Sequence, residues 1–191
     1  MEPPAVMAMV DAIAEAGVTL PGVNGDAATA ASFAGQWSER CKSAVKPFQG
    51  LRLYELLEVG EVPRTEGHLR QAGLEDRPLM ILWTRAFQDE IGEFTNDTEL
   101  RVDRGLAARQ LWVWDKKGEP ISMAVSREPT HGVVRLSGVY TPPERRYHGY
   151  AASCVHALSE YLRVLGIGAF SIVIWVIPHR IPFAVGLDIG R

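Results

Sequence analysis

The spacing of apolar residues divides the chain into two regimes, and up to about residue 67 helical periods dominate. Pro3 and Pro4 precede an Ala-rich stretch, Ala5 to Ala16, in which Val6, Met9, Val10 and Ile13 recur three or four apart before Gly17 stops the pattern. Leu20 to Gly25 is a Pro/Gly/Asn loop, and Asp26 stands where a second helix, reaching about Ala44, needs its N-cap. Phe33 and Trp37 are four apart and share one face of that helix, with Pro47 just beyond its end. Leu51 to Val59, carrying Leu51, Leu53, Leu56 and Leu57, reads as a ragged strand, and Gly60 to Gly67 as a linker.

From His68 onward, helices and strands are interspersed. A short strand at His68 to Ala72 leads to Asp76 as the cap of a helix over Arg77 to Ile91, with Leu79, Leu82, Trp83, Ala86 and Phe87 facing inward. A further helix runs from about Asp97 to Ala107. Three strands follow at Gln110 to Asp115, Pro120 to Arg127 and Gly132 to Tyr140, the first two joined by a Lys-Gly hairpin turn. Beyond the loop at Pro142 to His148, a helix from Gly149 to Leu165 carries the stripe Ala151, Val155, Leu158, Leu162 and Leu165, and a β-branched strand, Phe170 to Val176, comes after it. The expected plan is a partial helical N-terminal piece with linker over residues 1–67, an α/β domain over 68–176 and a loose tail over 177–191.

Composition narrows the function classes. With 47% apolar and 23% charged residues the chain is of soluble globular type. A formal charge of −3, without basic and aromatic residues clustered together, argues against nucleic-acid binding. Met1 to Val10 lacks a basic leader, and the apolar run Ala169 to Val176 is too short for a bilayer, so neither export nor membrane insertion is expected. Cys41 and Cys154 are isolated and the five histidines scattered, which predicts reduced thiols, a cytoplasmic setting and no metal site.

The segment that carries chemistry is Val139-Tyr-Thr-Pro-Pro-Glu-Arg-Arg-Tyr-His-Gly-Tyr-Ala151, between a strand and a helix. A helix N-terminus offers unsatisfied N–H groups and the positive end of a dipole, which suits a pyrophosphate. Gly149 removes a Cβ from the approach, Ala151 keeps the next turn slim and Arg146 adds a cation. The donors expected are the main-chain amides of Tyr147, His148, Gly149, Tyr150 and Ala151.

Arg146-x-x-Gly149-x-Ala151 resembles the Arg/Gln-x-x-Gly-x-Gly/Ala signature of GNAT N-acyltransferases, and its context adds to the likeness. Leu111-Trp-Val-Trp-Asp, Pro120-Ile-Ser-Met-Ala and Ala152 to Gly166 are similar to successive elements of one GNAT subfamily, and Leu20 to Gly25 and Arg52-Leu-Tyr54 to its linker from a degenerate N-terminal half. The resemblance implies a mixed, mostly antiparallel splayed sheet flanked by helices. It also implies acetyl-CoA as co-substrate, a small-molecule amine or protein amino group as acceptor, and pantetheine contacts from Val139 and Tyr140. As general base it nominates Glu90, with Asp89 second; the alternative is that both carboxylates form a solvated helix face near Arg85 and Arg77.

Several positions depart from the subfamily pattern. Tyr147 stands where glycine is usual and His148 where arginine or another polar residue is usual. In place of the Asn-Pro-Thr-Ser-Asn loop and Gly-Tyr strand stands Ile172 to Arg191, and codons compatible with Phe170 to Arg191, read in the neighbouring frame, permit that missing ending. A frameshift near Ile167 to Phe170 is therefore one expectation, and an N-terminally incomplete chain that leaves Phe33 and Trp37 exposed is another. The rival readings are a catalytically impaired CoA-binding remnant and a structural or interaction fragment without a ligand.

Overall fold

The computed structural model describes residues 3–47, 51–56, 59, 60, 62, 65–93, 95–166 and 169–175. They form two compact units that divide between Gln49 and Gly50. The expected tail over 177–191, and the alternative ending proposed for it, lie outside the described residues.

The first unit is a pair of helices, α1 over Pro3–Glu15 and α2 over Ala27–Cys41. The Asp26 carboxylate accepts the Thr29 N–H at 3.0 Å, as an N-cap does, and Lys42 ends α2 in the left-handed conformation. Phe33 is not left exposed: it is buried with Val6 and Val10, and its ring stacks on Trp37 at 6.1 Å between centroids. The apolar stripes of α1 and α2 thus cover one another.

The second unit is built on a six-stranded sheet. Its strands are β1 Leu51–Leu56, β2 His68–Gln71, β3 Leu111–Lys116, β4 Glu119–Ser126, β5 Val133–Tyr140 and β6 Ala169–Trp175, in the order β1-β6-β5-β4-β3-β2. Every pairing is antiparallel except that of β5 with β6. Segment Leu51–Leu56, grouped above with the N-terminal piece, pairs along its whole length with β6 and so belongs to this sheet. Lys117 and Gly118, at φ +57° and +85°, make the tight turn of the β3–β4 hairpin.

One face of the sheet is covered by α5, Tyr150–Val164, whose Cys154, Val155, Leu158 and Leu162 pack on Trp112, Trp114, Val134 and Leu136. The other carries α3, Arg77–Ile91, and α4, Thr98–Ala107, through Met80, Trp83 and Val102 against Val113, Met123 and Tyr140. Two residues expected to face inward do not. Leu82 is 61% exposed, because it lies some 200° around the helix from the fully buried Met80, and Leu165 is 59% exposed because it falls past the last helical turn. Cys154 is wholly enclosed, and burial pushes its thiol up to about 12. Among the described residues no helix is long and apolar enough to cross a membrane.

Asp76 stands at the head of α3 without capping it. Its carboxylate instead takes two bonds from the Arg70 guanidinium, at 2.6 and 3.0 Å, and the Gly73 N–H at 2.8 Å. Arg70 Nε donates to Asp115 at 2.8 Å, and the hairpin N–H of Gly118 donates to the same carboxylate at 2.7 Å. One arginine therefore ties β2 to the β3–β4 turn and to the start of α3, with both carboxylates buried.

The bonds from Arg70 hold Asp76 below the usual carboxylate range; at Asp115 burial pushes upward, but Arg70 and the Gly118 amide outweigh it and the net shift is also downward. Folded pKa values below the unfolded ones mean that the stabilisation is complete above about pH 4 and is lost as pH falls through the folded values. Urea titrations should accordingly show stability declining below about pH 4. Arg70→Met should cost about 3–5 kcal/mol at neutral pH by stranding two buried carboxylates, and its loss of stability on acidification should be shallower than that of the wild type.

Candidate functional site

Strands β5 and β6 run side by side only from Val133 to Leu136, opposite Ala169 to Ile172. Beyond that β6 continues against β1, while Ser137 to Tyr140 keep only β4 as a neighbour. The cause is an extra residue in β5: the register steps from Val125↔Ser137 to Met123↔Tyr140, so three steps on β5 meet two on β4. Gly138 sits in the bulge at φ +55°, and a Cβ there would come within 2.9 Å of Val125 Cγ2. The bulge also exchanges faces, so that Val139 packs with the α5 core and Tyr140 with the α3–α4 core. The result is a V-shaped parting, with the main-chain edge of Ser137 to Tyr140 on the β6 side left without a strand partner among the described residues.

The loop that follows turns this edge into the head of α5. After a single 3₁₀ turn at Pro143–Arg145, Tyr147 and Gly149 adopt left-handed backbone at φ +66° and +80°, and α5 begins at Tyr150. Backbone that alternates in hand turns neighbouring N–H groups toward one side, the arrangement of a concavity suited to an anion. The first bond into the helix is from Ser153 N–H to Gly149 O at 2.9 Å, and the N–H groups of Tyr147 to Ala152 have no protein acceptor among the described residues. Gly149 is favoured by its positive φ, and a Cβ there would lie 3.3 Å from Thr65 Cγ2, a tight approach. Thr65 donates to the Ser153 hydroxyl at 2.9 Å, which fixes the segment before β2 against α5.

Of the loop's side chains, Arg145, Arg146 and His148 have partners and Tyr147 has none among the described residues. Tyr147 is 85% exposed and points outward. His148 Nδ1 lies 2.7 Å from the Arg146 carbonyl, a contact that requires the proton on that nitrogen, and its ring stacks on Tyr150 at 5.7 Å. Arg146 does not lie free beside the concavity. Its Nε donates to Thr141 O at 2.8 Å, its Nη2 donates to Glu90 Oε1 at 2.6 Å, and its guanidinium lies 5.6 Å from the Tyr140 ring centre. Burial first, and then the nearby Glu90 charge, push the Tyr140 phenol up, so it remains protonated at neutral pH.

The structure thus brings together two residues nominated from sequence for different tasks, Glu90 and Arg146. The partners named in the alternative reading are taken elsewhere: Arg77 pairs with Asp103 at 2.6 Å and Arg85 with Glu99 at 2.7 Å. Asp89 forms no ion pair among the described residues. Near the α3–α4 turn lies an open depression of about 570 Å³ lined by Arg85, Thr95, Asn96, Asp97, Thr98, Glu99 and Leu100. A smaller one of about 250 Å³ includes Asp89 and Glu93. Sequence reasoning missed the bulge, although a lone glycine inside a strand pattern was the available signal, and it missed the Glu90–Arg146 pair, which no local pattern announces.

Two left-handed residues in one loop should respond oppositely to substitution. Tyr147→Gly removes a conformational cost of about 1–2 kcal/mol, partly offset by the entropy of glycine in the unfolded chain, and should raise stability by about 1 kcal/mol. Gly149→Ala should lower it by about 1–2 kcal/mol. Urea unfolding midpoints of the two variants check both signs.

A family model described as the acetyltransferase (GNAT) family matches residues 76–182. Among solved structures, an acetyltransferase from the GNAT family of Colwellia psychrerythraea aligns with 66% of this chain and 48% of its own, at 13% identity and a TM-score of 0.52. A predicted acetyltransferase with acetyl-CoA from Clostridium acetobutylicum aligns over 61% of this chain and 92% of its own, at 16% identity and a TM-score of 0.47. N-acetylglutamate synthase from Neisseria gonorrhoeae, complexed with coenzyme A and N-acetyl-glutamate, aligns over 55% and 24%, at 14% identity and 0.46. This chain thus spans about half of the Colwellia protein and a quarter of the Neisseria one. No curated protein sequence matches it.

Proposed function

The chain belongs to the GNAT family and is an acyltransferase, and on that premise we propose that it moves an acetyl group from acetyl-CoA to a primary amine, of a small molecule or a protein, in a cytoplasmic setting. The observation that carries the reading is the row of N–H groups at the head of α5 that have no protein acceptor among the described residues, opening beside the parting of β5 and β6. A pyrophosphate needs several N–H donors and little bulk, and that row offers them.

In this scheme the amides of Tyr147, His148, Gly149, Tyr150 and Ala151 hold the pyrophosphate and Arg146 adds charge. The unpaired edge at Val139 and Tyr140 takes the pantetheine arm as a further strand would. The amine nitrogen attacks the thioester carbon, the C–S bond breaks as the C–N bond is completed, the amine proton passes to a base, and the departing CoA thiolate takes up a proton. Glu90, at the end of α3 beside Tyr140, is the candidate base.

Isothermal titration with acetyl-CoA, joined to a free-thiol release assay over a panel of amines, tests the reading. Binding is expected, and Arg146→Ala and Gly149→Trp should each weaken it by about tenfold or more, the scale of one charge-assisted hydrogen bond. Binding without thiol release would identify a CoA-binding module instead, and absence of binding would remove the proposal.

A further inference from the structure

We infer that Glu90 and the donor's pyrophosphate compete for Arg146, so that binding of acetyl-CoA itself unmasks the Glu90 carboxylate; the inference rests on the acetyl-CoA reading above. Every described cation around the loop already has a carboxylate. Arg145 pairs with Glu119 at 2.7 Å, Lys116 and Lys117 each reach Glu66 at 3.1 Å, and Arg146 holds Glu90 at 2.6 Å. A pyrophosphate seated on the N–H groups that begin at Tyr147 can therefore gain a cation only by drawing one away from its partner. Arg146 is the one that directly precedes those groups in the chain.

Magnitudes favour the exchange. The Glu90–Arg146 pair is open to water, with the side chains 39% and 25% exposed, and exposed pairs of this kind are weak. A guanidinium facing a phosphate forms charge-assisted, often bidentate bonds to a group of higher charge.

The consequence concerns order. While Arg146 is bound to Glu90, one carboxylate oxygen is committed and the positive charge opposes the uptake of a second cation, an ammonium acceptor included. Once the pyrophosphate has taken the guanidinium, Glu90 is free to receive the acceptor's proton. Glu90 is thus idle as a base until the pyrophosphate is seated.

The test is the sign of one change. If Glu90 competes with the pyrophosphate, Glu90→Gln should bind CoA roughly two- to fivefold more tightly than the wild type, while thiol release with amine falls. In an Arg146→Ala background the same substitution should leave CoA affinity unchanged. A structural role for Glu90 predicts the reverse, namely weaker CoA binding by Glu90→Gln, and either equal or weaker binding overturns the inference. Failure of the wild type to bind CoA would instead sink the acetyl-CoA reading. Side-chain NMR of the wild type asks the same question without a variant: adding CoA should move both the Arg146 Nε–H and the Glu90 carboxyl ¹³C resonances, and an unmoved Glu90 signal overturns the inference.

Discussion

A single surplus residue in β5 governs the working half of this molecule. Three steps of backbone fit against two at Gly138, which bends β5 where its pairing with β6 ends and the sheet parts. Without the extra residue Val139 and Tyr140 would exchange faces, sending a large phenol into the α5 core and withdrawing it from Trp83 and Arg146. The parting, the placement of Tyr140 and the departure angle of the loop to α5 are thus linked to one local mismatch in length. Glycine suits the position because it alone combines a left-handed backbone with the absence of a side chain against Val125.

The two arginine centres of the α/β unit show how solvent decides what an ion pair does. Arg70 binds two buried carboxylates and a turn beside them, and removing it would strand charge in the interior, so it acts as a permanent fastening. Arg146 has equally short bonds, but water reaches both partners, and its attachment to Glu90 is correspondingly replaceable. Bond length alone does not distinguish them.

What could be read from the sequence was what local chemistry dictates. Asp26 caps its helix because its side chain lies within one turn of the amide it serves; Lys117-Gly118 makes a hairpin because both can accept positive φ; and the loop from Arg146 to Ala151 was placed correctly between strand and helix because proline and glycine punctuate it. What could not be read depends on distance through space. Leu51–Leu56 has the alternation of a strand but nothing that names β6 as its partner. Asp76 has the credentials of a cap, yet a guanidinium six positions earlier outbids the helix for its carboxylate. Glu90 and Arg146 were each singled out, but their pairing follows from the packing of α3 against the end of β5, which periodicity does not encode.

Cys154 bears on the kinetic scheme. It is the only cysteine of the sheet-bearing unit, it is fully enclosed under α5, and its thiol is pushed up to about 12, so the reactive thiolate is scarce and out of reach of any ligand in the cleft. An acyl-cysteine relay, in which the donor unloads and departs before the acceptor arrives, therefore cannot run through this residue. If the cleft passes an acyl group from donor to amine as proposed, this sulfur takes no covalent share in the passage.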